Sequence, residues 1–529
     1  MQTPTSEKKK RPDLRLLKNL RYDFPAGVVV FLVALPLCLG IALASQGTVD
    51  GAPLFSGLLA GIIGGLVIPL ISRSPLSVSG PAAGLIAIVI SGIDQAGSFE
   101  AFLVAVMLGG ILQLVLGVFK AGTIAYFFPS SVIKGMLAAI GLILIRKQLP
   151  HAFGVDSEAV DLSAHLLDTP AVLREIAVEG HFEMGAIIIA LVSLAILITW
   201  DNTPLKRINI LPAALVVVIV GVLLNLSFQA INPEWVLLGG NAGHLVNLPD
   251  SLVNGGPAGF ISELRLPDFS ALANPDIYVI GLTIGLVASV ETLLSVEAVD
   301  KLDPHKRSTP LNRELLAQGV ANTLGGLLGA LPITAVIVRS SANVNAGGQT
   351  KAAAFIHGLL LVISVITIAQ VLNLIPLASL AAILLMIGYK LARPALFRTL
   401  YREGYSQLLP FVVTILAVLT FDLLVGIAIG TLVGIFYTVR ANFRTAITVD
   451  KRDDAYVIRL KKDVSFMNKA ILGRALSRIP EGSRLILDGT QAEFIDHDIQ
   501  EIIREFQIQA KDKNIDFEIW DVEKRHAYT

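Results

Sequence analysis

Runs of apolar residues, most of them near the length of a bilayer crossing, fill the chain from Phe24 to Val439 and are parted by short polar connections. A crossing helix needs about 20 such residues, and in lipid every backbone polar group must find its partner within the helix. The pattern predicts fourteen membrane segments. The first seven fall at 24–44, 53–71, 81–92, 99–119, 124–145, 184–200 and 210–228. The second seven fall at 277–299, 315–330, 338–345, 352–371, 374–391, 408–421 and 423–439. The last two share one apolar run interrupted at Asp422. A single helix of that length would overshoot the bilayer, so a tight hairpin of two short helices is expected.

Two segments are too short to cross, and they occupy matching places in the two halves. In the first half, Ser77-Val78-Ser79-Gly80-Pro81-Ala82-Ala83-Gly84 runs into a short apolar stretch at 85–90. In the second, the apolar residues 331–338 collide with Arg339-Ser340-Ser341. Paired broken segments mark an inverted-repeat secondary transporter whose substrate sits between two half-helix N-termini. The first amides of a helix lack partners and carry roughly +0.5 charge. Two such ends make an anion site without any charged side chain. Gly80, Ala82, Ala83 and Gly84 would let an ion approach the backbone, and Pro81 suits a first helical turn. Residues 76–79 and 333–336 are expected to supply extended backbone ahead of each half helix.

Beyond Arg440 the pattern changes to alternating short elements: strand 455–460, helix 468–479, strand 484–488, helix 496–510 and strand 516–520. This order predicts a small soluble α/β domain. The expected architecture is therefore an α-helical polytopic membrane protein with a small α/β tail. Its parts are an N-terminal segment at 1–22, a transporter domain at 23–441 (repeats at about 23–229 and 274–441) and the tail domain at 450–529.

Composition agrees with this class: 54% hydrophobic, 16% charged, mean hydropathy +0.70. The charges are segregated by location, so the net charge of zero is silent about partners. With the N-terminus inside, Lys8 to Arg11, Arg73, Lys206-Arg207 and the basic residues within 301–313, 390–402 and 440–444 fall on the cytoplasmic side. The long loops placed outside, 150–181 and 229–270, hold one basic residue each, Arg174 and Arg265. This is the positive-inside pattern, with Arg146-Lys147 the one dissent. It puts both termini in the cytoplasm of a multi-pass cell-membrane protein. The single cysteine, Cys38, excludes an internal disulfide and reads as a core residue. The chain has no P-loop and no His/Cys cluster, so no enzyme, cofactor, metal or nucleic-acid partner is expected.

Three polar residues inside the apolar segments carry candidate chemistry. Arg339 lies at the start of the second half helix, where a buried cation costs about 2.5 kcal/mol or more and its fork suits oxyanions. Glu291 lies among small and apolar residues of the eighth segment; it could carry a proton, hold a cation or pair with Arg339. Ser295, four residues on, shares its helix face. Gln113, Lys134, His357 and Asn373 read as helix-bridging residues.

These motifs resemble the sulfate permease family of anion transporters, which includes prestin and pendrin. The likeness rests on Asp23-Phe24-Pro25-Ala26-Gly27 with Ala34-Leu35-Pro36, Ser79-Gly80-Pro81, Glu291-Thr292-Leu293-Leu294-Ser295 with Asp300-Lys301, and residues 343–348. The tail resembles a STAS domain. The resemblance implies two inverted repeats of seven segments, a core domain moving elevator-fashion against a gate domain, and a homodimer. It implies an anion site of Ser79, Gly80, Ala82, Glu291, Ser295, Val336, Ile337, Val338 and Arg339. Sodium-coupled bicarbonate relatives carry an aspartate at the Glu291 position and a hydroxyl near Ile337. Their absence here disfavours sodium and favours proton symport through Glu291. In related STAS domains a phosphorylated Ser-Ser pair follows an aspartate; here Asp496 precedes His497-Asp498, so that acceptor is missing. The expected function is proton-coupled transport of a small oxyanion, sulfate or bicarbonate foremost, with membrane lipid as the other partner. The alternatives are an uncoupled exchanger or anion conductor of the same fold, a nucleobase transporter and a non-transporting sensor.

Overall fold

The computed structural model describes residues 16–46, 51–123, 129–155, 182–202, 212–239, 243–421, 423–452 and 455–522. The basic cluster at 8–11, the loop around Arg174, Lys206-Arg207 and Asp422 lie outside the described residues.

The first half holds α1 (Leu16–Ala44), α2 (Leu54–Leu66) with its short continuation α3 (Ile68–Ile71), α4 (Ile86–Ala96), α5 (Phe99–Val118), α6 (Ser130–Phe153), α7 (Met184–Asn202) and α8 (Ala213–Ile231). The connection that follows contains α9 (Asp250–Ser262), kinked at Gly256 with φ 54°. The second half holds α10 (Pro275–Leu302), α11 (Leu311–Leu328), α12 (Ile337–Asn345), α13 (Ala352–Thr367) with α14 (Ala369–Leu372), α15 (Leu377–Leu391), α16 (Pro394–Glu403), α17 (Tyr405–Thr420) and α18 (Leu423–Thr445). Every predicted segment has its helix. Among the described residues six helices are long and apolar enough to cross a membrane unaided, and five apolar ones are shorter. The other three segments are α6, which carries Lys134, Arg146 and Lys147, α11, which carries Arg313 and Glu314, and the nine-residue α12.

Both broken segments are extended before they turn helical. Strand β1 (Ser79–Pro81) precedes a 3₁₀ turn at Ala83–Leu85 and then α4; strand β2 (Ile333–Ala335) precedes α12. The strands pair antiparallel, with Ser79 opposite Ala335, Gly80 opposite Thr334 and Pro81 opposite Ile333. All six residues are buried. The extended backbone falls a little later than expected in the first half and within the expected span in the second.

The helices pack in two sets, and the first holds the ladder, chiefly through α2 and α10. In one, α5 packs on α10 and α11, and α1 packs on α13 and α2. Helices α2 and α13 meet at Gly65 and Gly358, where a Cβ on Gly65 would lie 2.6 Å from the Gly358 Cα. Only glycine permits that approach, the small-residue contact on which helix association in lipid depends. In the other set, α15 packs on α6 and α7, around Ala152, Ala186, Ile189, Phe228, Ala378 and Ala381.

The contacts divide the chain into two compact units, and residues 431–529 fall in the second. That unit contains a four-stranded sheet, β3 (Ile447–Arg452), β4 (Ala455–Val464), β5 (Arg484–Ile495) and β6 (Asp516–Trp520), in that spatial order. The first pair is antiparallel and the other two are parallel. Helices α19 (Lys469–Ser477) and α20 (His497–Asp512) join the parallel strands. Ile458, Leu460, Leu472, Leu485, Ile499 and Phe506 lie in its buried core. Strand β3 and helices α9 and α16 are additions to the sequence reading.

Candidate functional site

The two half helices begin without side-chain caps. Their N-cap residues are Ala82 (φ −110°, ψ 134°) before the 3₁₀ turn and Val336 (φ −116°, ψ 117°) before α12; neither side chain accepts a helical amide. The antiparallel register sets the two helix starts beyond opposite ends of the ladder, Val336 level with Val78, so that Ala82 and Val336 are about 13 Å apart along the strands. In α12 the first amide bonded within the helix is that of Ser340, to the Val336 carbonyl at 3.0 Å. The amides of Ile337, Val338 and Arg339 precede it and have no helical acceptor. Ile337 and Val338 are 43% and 44% exposed, one residue beyond the three fully buried strand residues, so this helix start faces open space.

Glu291 reaches the other start. A Cβ on Gly84 would lie 2.7 Å from each of its carboxylate oxygens. The carboxylate is therefore seated on the first turn after Ala82, in the space that glycine leaves. Its Oε2 is closed off from solvent and has no hydrogen-bond partner. Ser295 is half-buried one turn further along the same helix. Between them Thr292 Oγ1 accepts the Ala335 amide at 3.2 Å and ties α10 to β2.

Arg339 takes a different place from the one its sequence position suggested. It is fully buried and lies behind β1, with Nη1 2.1 Å from where a Gly80 Cβ would be. Nη2 donates to the Pro81 carbonyl at 3.3 Å, while Nε and Nη1 have no partner. Cys38 and His357 are its neighbours. Among the described residues no carboxylate stands within ion-pair distance of Arg339, so it does not pair with Glu291: one side chain reaches Gly80 and the other Gly84. A buried cation without a counter-ion is costly by several kcal/mol, and that cost falls when an anion binds close by.

The frame of the site is polar and was largely unanticipated. Ser79 Oγ accepts from Gln318 Nε2 at 2.9 Å, and the same nitrogen donates to Glu314 Oε1 at 3.1 Å. The Ser72 hydroxyl bonds the other Glu314 oxygen. Asn322 Oδ1 accepts the Ile333 amide at 2.7 Å, and its Nδ2 donates to the Ile333 carbonyl at 2.9 Å and to Gln113 Oε1 at 2.8 Å. The Ser340 hydroxyl accepts the Val78 amide at 2.9 Å, and Asn343 Nδ2 donates to the Leu76 carbonyl at 2.9 Å. Asp23, fully buried, accepts the amides of Gln349 and Thr350 at 2.7 and 2.9 Å. The signal for α11 was available: Glu314, Gln318 and Asn322 recur every four residues and form one polar stripe along the helix. Gln113 bridges α5 to α11 as expected, whereas Asn373 holds both backbone groups of Leu248 in a connection and both ring nitrogens of His357 are without a hydrogen-bond partner.

The murine anion transporter named solute carrier 26 family member A9 has the same fold. Its structure superposes with a TM-score of 0.74 at 16% identity, covering 96% of this chain and 86% of that one. The bicarbonate transporter BicA of Picosynechococcus is 25% identical over 431 residues, 80% of this chain and 70% of that protein. The sodium-independent sulfate anion transporter of Bos taurus is 27% identical over 508 residues, 91% of this chain and 80% of that protein. Residues 20–414 match the model of the sulfate permease family, and the chain belongs to that family.

Proposed function

We propose that the protein is a secondary transporter of a small oxyanion, sulfate or bicarbonate foremost, coupled to a proton through Glu291. The observation that carries this reading is the seat of Glu291 on Gly84 beside an uncapped helix start. A substrate anion at the ladder and an ionised Glu291 would place two negative charges on one helix end. Like charges so close disfavour each other's ionised form. A proton on Glu291 removes the conflict, so anion and proton enter together. The aliphatic Ile337 and Val338 offer no oxygen ligands for sodium, and a sulfate transporter named as sodium-independent is among the relatives.

In this reading Ser79, Gly80, Ala82, Glu291, Ser295, Val336, Ile337, Val338 and Arg339 form the anion site, the backbone amides and the buried guanidinium supplying the positive field. The ladder and its helices move elevator-fashion against the second helix set. Residues 23–441 form the transporter domain and 450–529 a cytoplasmic STAS domain; both termini are cytoplasmic, and the protein works as a homodimer in the cell membrane.

The deciding experiment is uptake of labelled sulfate and bicarbonate into proteoliposomes, with and without an inward proton gradient. Uptake accelerated by the gradient is expected. Uptake indifferent to the gradient would replace proton symport with uncoupled exchange, and absence of uptake for both anions would remove the substrate assignment.

A further inference from the structure

The chain of hydrogen bonds behind β1 has a direction, and the direction ends at the anion site. It begins at the Ser74 amide, which donates to Ser72 Oγ at 2.9 Å. With that lone pair engaged, the Ser72 hydroxyl turns its own hydrogen to Glu314 Oε2. Glu314 is fully buried, and both of its oxygens accept, Oε2 from the Ser72 hydroxyl and Oε1 from Gln318. The amide of Gln318 must therefore present its nitrogen to Glu314 Oε1. That nitrogen has a second hydrogen, which it gives to Ser79 Oγ at 2.9 Å. Ser79 is thus held as an acceptor toward Gln318, and its single hydrogen is left over. Among the described residues nothing accepts that hydrogen, although Ser79 is only 2% exposed. A buried hydroxyl hydrogen without an acceptor is costly and points to a missing partner.

We propose that Gln318, oriented by Glu314, is a positioning residue that forces the Ser79 hydroxyl to donate to the transported anion. Without this relay Ser79 could turn its hydrogen to a backbone carbonyl and offer the substrate only lone pairs. The relay converts an ambivalent hydroxyl into an obligate donor, which suits an anion and no cation. The inference rests on the anion-site reading of Ser79 given above.

The test is a double-mutant cycle in proteoliposomes, with KM and maximal rate measured separately for whichever labelled anion, sulfate or bicarbonate, the wild-type protein carries. Ser79→Ala removes the donor and is expected to raise KM about tenfold, the loss of one hydrogen bond to a charged group. Gln318→Met keeps the side chain's length without its amide and is expected to raise KM by the same factor, with the maximal rate little changed. In the Ser79→Ala background Gln318→Met should add nothing. Glu314→Gln gives an independent arm: an amide at 314 can donate as well as accept, so Gln318 is free to turn over and KM should rise only when Ser79 is present. Unchanged KM in Ser79→Ala would overturn both this inference and the site reading. Raised KM in Ser79→Ala, with additive effects of the second substitution, would overturn this inference alone.

Discussion

Two ionisable side chains flank the ladder, and each gives a separable prediction. Glu291→Gln keeps the shape that fills the space over Gly84 and removes the proton. Uptake by this variant should lose its response to an imposed proton gradient while anion binding persists, measured as equal initial rates at symmetric and inward-acid pH. A gradient response equal to that of the wild type would remove Glu291 from coupling. Arg339→Met should act in the opposite sense on folding and function. It deletes a buried cation with no carboxylate partner among the described residues, so the melting temperature in detergent should hold or rise. Uptake should fall at least about tenfold, because the field that draws the anion is gone. A large fall in melting temperature instead would make Arg339 a structural residue. At this scale the sequence was partly legible. The types and positions of Glu291 and Arg339 announced charge in lipid. That Arg339 reaches the space at Gly80 while Glu291 reaches the space at Gly84 is a tertiary fact, which a linear reading does not contain.

The half helices were legible as elements because a run too short to cross a bilayer must be met by a second one. Their extended starts were placed within a few residues because Gly80-Pro81 and Leu331-Pro332 weaken a helix at the point where each apolar run is already too short to cross. What holds those strands was not legible, since it comes from α11, hundreds of residues away in the case of β1. Asn322 satisfies both backbone groups of Ile333 and reaches Gln113, so one side chain fixes the entry to β2 from the back. Asn322→Leu would strand a buried amide and a buried carbonyl, a cost of about 1–3 kcal/mol for each group left unpaired. The expected outcome is a lowered melting temperature together with lost uptake, in contrast to the stable but inactive Arg339→Met. A variant that melts like the wild type would show that β2 is held by its pairing to β1 alone.

The whole chain joins a membrane unit to a second unit with a core of its own, and the place where that core begins can be tested on the second unit by itself. Alternation of apolar residues made Ala455 the apparent first strand residue, because β3 carries Thr448, Asp450, Lys451 and Arg452 and reads as a polar connection. In the structure β3 pairs with β4 along its full length, from Ile447 opposite Leu460 to Arg452 opposite Ala455. Ala446 and Ile447 lie in the buried core, and the Ala446 carbonyl accepts the Lys461 amide at 2.8 Å. Polar residues on an edge strand are the usual guard against pairing with other chains. A fragment of residues 446–529 should therefore be soluble, monomeric and cooperatively folded. A fragment of residues 455–529 loses the burial of Ala446 and Ile447, about 2 kcal/mol, and bares the edge of β4. It should melt lower and self-associate, as read by circular dichroism and size-exclusion chromatography. Equal melting of the two fragments would detach β3 from the domain and return its boundary to the one suggested by the apolar pattern. If the longer fragment is the stable one, a deletion meant to separate transport from the tail must remove β3 together with β4. A cut at Ala455 would leave β3 behind without its partner strand, and a loss of activity would then report misfolding and not the tail's function.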